Sequence, residues 1–482
     1  MSPGHDETTR APAGAFKPLC DRLMPPLRLR TFFQPAWLPG LASLLLLGLM
    51  ARVNRVHGTT GDEPHYLVMM DSLVRDGDLL ILNNHEREIT RDFFGEQLAP
   101  HLSHAAPDRS LHFPMTALLL APAYALDRHD GVLLLLVLLH ACAVLWLRAA
   151  LIHLGIAPAA ASAVAFVWLL TVPWSLMALQ VYPDSVGLVL VAAVLRLLVG
   201  KRWPILRPIL IGLLLGILAA LHIKFYPLAI ALLVGGIWLG GVRRAWPVML
   251  FPFLLVVALN SILLARLYGS FWPWAPYGSF ASHGAGGSLL LGLPAYLADL
   301  QYGLLPQGPL WLALVPGVVV LARSRDRGPR GRFAWVCLAA GLIHLLAIAN
   351  TRLDLFGWST AARNLTVAVP VGVAIAGLGL QATWRRRGFR WFWALLFVWQ
   401  LALLVVYQFD WWGRYKLPTL LARWLGVPRE SVPSFFDYFH PDAPPDPGAW
   451  VLFVAFAAVA IILGVLGWRL GRLSPEDRAA LN

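Results

Sequence analysis

Apolar residues in this chain come in long blocks, neither alternating as in a half-buried strand nor confined to one stripe as in a soluble helix. Twelve blocks approach the roughly 20 apolar residues that a bilayer-crossing helix needs. They cover residues 33–53, 130–150, 157–180, 184–200, 205–222, 225–241, 246–266, 308–322, 333–350, 364–382, 391–409 and 449–468. The pattern predicts an all-α polytopic membrane protein with about twelve transmembrane helices. A further apolar run, 113–126, is only about two-thirds of the required length and is expected not to cross.

Composition agrees with this. The 482 residues are 58% hydrophobic and 13% charged, against roughly 25% charged in soluble domains, which disfavours a cytosolic enzyme, a disordered chain or a disulfide scaffold. The net charge of +13 would suggest an anionic partner such as nucleic acid, were it evenly spread. It is not. With the N-terminus inside and twelve crossings, the inner segments hold 24 basic and 6 acidic residues and the outer segments 15 and 20. The inner loops carry the dense clusters Lys201-Arg202, Arg243-Arg244, Arg323 to Arg332 and Arg385 to Arg390, as the positive-inside rule requires. Basicity therefore sets topology, and no nucleic acid is expected.

This orientation divides the chain into a cytoplasmic tail, 1–32, and a transmembrane domain, 33–482, with both termini cytoplasmic. It places the long polar segments 54–129, 267–307, 351–363 and 410–448 on the outer face. No removable signal peptide is expected. Cys20, Cys142 and Cys337 are too scattered for a metal cluster and no disulfide is expected; the Arg-rich, Lys-poor composition suits a GC-rich bacterium, in which a multi-pass helical protein is expected in the cytoplasmic (inner) membrane. No GxxxxGKS/T, HExxH or GxSxG motif occurs, and no fixed-period repeat stands out.

The first outer segment opens Gly61-Asp62-Glu63-Pro64-His65-Tyr66-Leu67. Tyr66, Met69, Met70 and Leu73 recur at helical spacing, with Asp71, Ser72, Arg75 and Asp76 on the other side and Gly77 as a stop. A short amphipathic helix on the membrane surface is expected. Asp62 or Glu63 has an ordinary explanation as a helix cap, with Pro64 in the first turn.

An Asp-Glu pair just past the first span, opening a long outer loop with interface helices, resembles the GT-C class of integral-membrane glycosyltransferases. That class includes protein O-mannosyltransferases and the aminoarabinose transferase acting on lipid A, and the Gly-Asp-Glu-Pro-His-Tyr-Leu motif is similar to that of a bacterial multi-span group within it. His112-Phe113-Pro114 resembles the His/Lys-Pro-Pro element of the class, with Phe113 in place of the first proline. Tyr182-Pro183-Asp184 resembles its second acidic site. His222-Ile223-Lys224 closes the fifth span, and the segments Asp299 to Pro309 and Trp358 to Asn364 resemble later outer-loop elements.

The resemblance implies transfer of a sugar from a polyprenyl-phosphate donor to a hydroxyl of a lipid, glycan or protein at the outer face. Asp62 would be the general base, with Glu63 second and Asp184 orienting the acceptor or sugar. Lys224 and Arg363 would meet the departing phosphate, with His112, Arg352 and His65 behind them. Phe271, Trp272, Trp274 and Tyr277 would border a lipid groove, or form the ordinary interfacial aromatic belt. Lys224 and Arg363 also fit snorkelling at helix ends, His222 fits an interface histidine, and the Asn364-Leu365-Thr366 sequon falls at a span. No metal is assigned, although Asp62, Glu63 and Asp184 would suit a hard divalent cation if they met. The competing class is a lipid or solute transporter, which would need charges near the bilayer midplane in broken helices, whereas nearly all charges here fall at helix ends or in loops.

Overall fold

The computed structural model describes residues 35–54, 59, 61–200, 205–239, 246–280, 287–324, 328–351, 360, 362–409, 434–435 and 444–470. Arg352 and most of the expected outer loop 410–448 lie outside the described residues. Among them the structure is helical, with β-pairing limited to the isolated bridges Leu80 to Arg109 and Leu102 to Ser110. The main helices are α1 (Leu38–Asn54), α2 (Glu63–Asp71), α3 (Pro114–His153), α4 (Pro158–Leu169), α5 (Pro183–Val199), α6 (Leu206–Leu221) and α7 (Tyr226–Trp238). They continue with α8 (Trp246–Tyr268), α9 (Leu289–Ala298), α10 (Leu314–Arg323), α11 (Pro329–Ala349), α12 (Val369–Thr383), α13 (Arg387–Phe409) and α14 (Pro447–Leu470).

Each of the twelve expected spans falls wholly or partly on a helix. Among the described residues, six stretches are long and apolar enough to cross a membrane: Pro114–His153, Trp246–Tyr268, Pro329–Ala349, Arg363–Thr383, Arg387–Gln408 and Pro447–Arg469. Others are shorter than expected, for identifiable reasons. The block 157–180 breaks after Leu169, ahead of Pro173, and resumes as a single turn, Trp174–Met177, because proline removes a backbone donor and clashes with the preceding turn. The block 308–322 starts as a 3-10 turn, Pro309–Ala313, before α10. The segment 267–307, expected on the outer face, contains the short apolar helix α9.

Apolar side chains point outward where lipid would lie. Leu395 and Val398 on α13 and Val451, Val454 and Ile461 on α14 are more than half exposed, a surface that water would penalise and hydrocarbon would not. Between helices the packing is close. A Cβ on Gly212 of α6 would fall 1.9 Å from the Met249 carbonyl oxygen of α8, so the two backbones touch as only glycine permits.

The run 113–126 is helical and continues into the next block as α3, 40 residues long. A straight helix of that length would reach about 60 Å, twice the hydrocarbon thickness. The chain instead breaks at Asp127 (φ −156°, ψ 45°) and Arg128 (φ 45°, ψ −130°). A Cβ on Gly131 would lie 2.2 Å from the Ala123 carbonyl oxygen, a contact impossible across two turns of continuous helix. The short amphiphile therefore folds back on the helix that follows it, and Arg128 is held by Asp92 at 2.8 Å.

The expected surface helix is corrected by α2. All nine of its residues are buried, and its apolar members Tyr66 to Met70 pack in one core with Leu120, Ala123 and Tyr124 of α3. Its polar side is covered as well, because Asp71 accepts from Tyr124 Oη at 3.0 Å and from Asn84 Nδ2 at 3.2 Å, and pairs with Arg75 at 3.1 Å. The helical stop at Gly77 is as expected, in the left-handed conformation at φ 74°.

Candidate functional site

The N-terminus of α2, the N-terminus of α5, the turn between α6 and α7, and the 3-10 turn Arg363–Ala368 leading into α12 converge on one charged cluster. Asp62 occupies the N-cap position of α2 but makes no side-chain cap; only its carbonyl accepts, from His65 N at 3.1 Å and Tyr66 N at 3.4 Å. Its carboxylate turns away to the Arg363 guanidinium, with Nη1 2.8 Å from Oδ2. The Asp62 side chain keeps 27% of its surface accessible, so a ligand can reach it.

Arg363 also reaches Asp184. Its Nε lies 3.3 Å from Asp184 Oδ2. The Asp184 side chain is fully buried, and Lys224 Nζ sits 2.8 Å from its Oδ1 and donates to Oδ2 at 3.1 Å. Lys224 donates further to Asn364 Oδ1 at 2.7 Å. Its side chain is 9% exposed, so it is a buried paired cation and does not snorkel to water. Two cations and two carboxylates in one interlocked group balance a charge burial that neither sign would survive alone.

Neutral groups fix the geometry. Tyr182 Oη accepts from the Asp62 backbone N–H at 2.8 Å, and the Arg363 guanidinium lies over the Tyr182 ring at 4.2 Å. Asn364 Nδ2 donates to Tyr296 Oη at 2.9 Å, and His344 Nε2 lies 2.8 Å from the Asn364 carbonyl. The residue before Arg363, Ala362, is left-handed at φ 53°, a conformation that costs a non-glycine residue about 1 kcal/mol or more. His222 Nδ1 accepts from Lys224 N at 3.3 Å, and its Nε2 lies 3.1 Å from Tyr277 Oη. Tyr277 thus joins the site, whereas Phe271 and Trp272 are largely exposed.

Glu63 plays a different part from Asp62. It is buried, and its Oε1 accepts from Val181 N at 2.9 Å with His129 Nε2 3.6 Å away, tying α2 to the segment before α5. Glu63, Asp62 and Asp184 do not gather as oxygen ligands. The group within ligand distance of one ion, among the described residues, is instead Asp62, His101 and His112. His65 stacks on His101 with ring centroids 3.7 Å apart, and His112 lies 5.5 Å from His65.

Burial works to raise the Asp62 carboxyl, but Arg363 and the neighbouring histidines outweigh it and hold the group below the ordinary carboxylate range. His112 is pushed down to about 4, first by burial, against the pull of Asp62. His65 falls to about 2, from burial and then from His112 and His101. Both imidazoles are neutral at physiological pH, so the fixed positive charge beside Asp62 comes from Arg363.

Of the sequence candidates, Asp62, Asp184, Lys224 and Arg363 meet directly, and His65 and His112 flank Asp62. Tyr182, Asn364, Tyr296 and His101 complete the site. An apolar groove of about 540 Å³ runs between α7 and α11, lined by Ile230, Val234, Trp238, Trp335 and Ile343 among others; α7 starts two residues beyond Lys224. Comparison of the chain with protein-family models, curated proteins and solved structures finds no match.

Proposed function

We propose that this multi-pass membrane protein is a glycosyltransferase of the GT-C kind, moving a sugar from a polyprenyl-phosphate donor to a hydroxyl acceptor at the outer face. The observation that carries the reading is the Arg363 bridge, one guanidinium joining the accessible carboxylate of Asp62 to the buried Asp184–Lys224 pair.

In such a reaction the acceptor oxygen attacks the anomeric carbon, its proton passes to Asp62, and the bond from that carbon to the phosphate oxygen breaks with its electrons leaving on the phosphate. Arg363 and Lys224 are the fixed cations for that developing charge, already oriented and partly shielded from water. Paired with Arg363, Asp62 is a weak base. A bound donor phosphate competing for the same guanidinium would loosen that pair and raise the basicity of Asp62 when it is needed. The groove between α7 and α11 offers an apolar bed for the polyprenyl tail beginning near Lys224.

The decisive measurement is transfer from a labelled polyprenyl-phosphate sugar in membranes carrying Asp62→Asn at unchanged expression. Loss of transfer is expected, and near-normal turnover would remove Asp62 from the role of base.

A second reading rests on one observation. Asp184 and Lys224 are buried charges beside interrupted helices, the 3-10 turns Ile223–Phe225 and Arg363–Ala368, as in transporters that bind ions or substrates at helix breaks. Uptake by proteoliposomes lacking any sugar-lipid would favour it.

A further inference from the structure

Half of the chain's histidines, seven of 14, lie in residues 54–129, and the fold gathers several of them at Asp62. A short hairpin does this. Leu111 N donates to the His101 carbonyl at 2.8 Å and Ser103 N to the Arg109 carbonyl at 2.8 Å, so His101 and His112 face each other from opposite arms. The hairpin is anchored from outside, because Ser103 Oγ donates to the Pro276 carbonyl at 2.6 Å and Tyr268 Oη to the Ser110 carbonyl at 3.0 Å.

The resulting spacing suits a metal ion. His101 Nδ1 and His112 Nε2 are 3.2 Å apart, and two nitrogen ligands about 2.0–2.1 Å from a tetrahedral zinc stand about 3.3 Å apart. One ligand atom from each of Asp62, His101 and His112 lies within 4.8 Å of the other two. Arg363 meets Asp62 through Oδ2, and a carboxylate has two oxygens to offer. His101 is exposed and Asp62 and His112 are partly exposed, so an ion has a path in from the outer face.

We propose that Asp62, His101 and His112 form a binding site for a divalent transition-metal ion of the zinc class. Two imidazoles and a carboxylate favour zinc over magnesium, which demands an octahedral oxygen shell. Three protein ligands leave a fourth position open, as in zinc sites that bind water or substrate. His65, stacked on His101, would hold the hairpin arm in place. The inference shares Asp62 with the proposed transfer reaction but does not depend on it.

The test uses the full-length chain without a polyhistidine tag, purified in detergent, stripped with a chelator and dialysed against zinc. One zinc per chain is expected, with affinity falling at least tenfold in His101→Ala and in His112→Ala, while His104→Ala, an exposed histidine outside the group, binds as the parent does. Magnesium at equal concentration should not displace the zinc. Cobalt substituted for zinc should give the visible absorption of a four-coordinate ion, lost in His101→Ala. Parent-like zinc binding by His101→Ala and His112→Ala, each eluting as a folded monodisperse protein, would overturn the site, as would less than half an equivalent in the parent. No sugar donor is present, so the outcome is separate from that of the transfer assay.

Discussion

Arg363 and Asp62, far apart in sequence, meet at 2.8 Å because Asp62 does not cap its own helix. The freed carboxylate is the reachable end of a buried ionic chain, and the guanidinium binds it while sitting over the Tyr182 ring and extending Nε to Asp184. An ammonium has the charge but not the planar fork needed for all three contacts. Arg363→Lys should therefore lower transfer about 100-fold or more while leaving the protein folded. Turnover in membranes at matched expression checks this, and a loss of less than fivefold would mean that charge alone suffices.

Lys224 and Asp184 make a different kind of pair, buried on both sides. Removing the cation leaves Asp184 with Arg363 alone in a fully buried position. Breaking a buried pair from one side costs about 3–5 kcal/mol, whereas neutralising both members costs much less. Lys224→Met should thus lower the melting temperature in detergent clearly more than the double change Lys224→Met with Asp184→Asn. Equal melting temperatures for the two variants would show that Arg363 and Asn364 already compensate Asp184.

Gly131 tests the folded-back helix. Even one methyl there would collide with the Ala123 carbonyl, a backbone atom that cannot swing aside. Gly131→Ala should destabilise by about 1–3 kcal/mol, and Gly131→Val should fail to accumulate. A parent-like melting temperature for Gly131→Ala would mean that the bend at Asp127 and Arg128 is looser than its packing suggests.

Much of this arrangement was legible in the sequence, and the gaps have physical causes. Long apolar blocks announce membrane helices because hydrocarbon leaves the backbone few alternatives, so the positions of the helices were readable. Their lengths were not, since Pro173 and the 3-10 turn at Pro309 shorten blocks whose hydropathy is continuous. The periodicity of α2 was correct, yet periodicity cannot say whether an apolar stripe meets lipid or protein, and here Tyr124 and Asn84 cover the polar side as well. Asp62 was a candidate by position, but that its carboxylate leaves the helix uncapped and turns to Arg363 is something spacing cannot reveal. His101 was missed because its meaning comes from the hairpin that sets it opposite His112; the concentration of histidines in that loop was the available signal.

The Arg363 bridge also has a consequence for biogenesis. Asp184 and Arg363 are 179 residues apart, so at about 5–20 residues per second their synthesis is separated by roughly 10–35 s. Lys224 follows Asp184 by 40 residues, and from then until Arg363 is made it is the only one of the cluster's two cations present, with no Arg363 guanidinium yet for Asp62. The cluster closes only when the segment opening α12 arrives, after most of the helices are already in place. Arg363 is in this sense a completion lock, and a chain truncated before it would leave the cluster with two carboxylates and one cation.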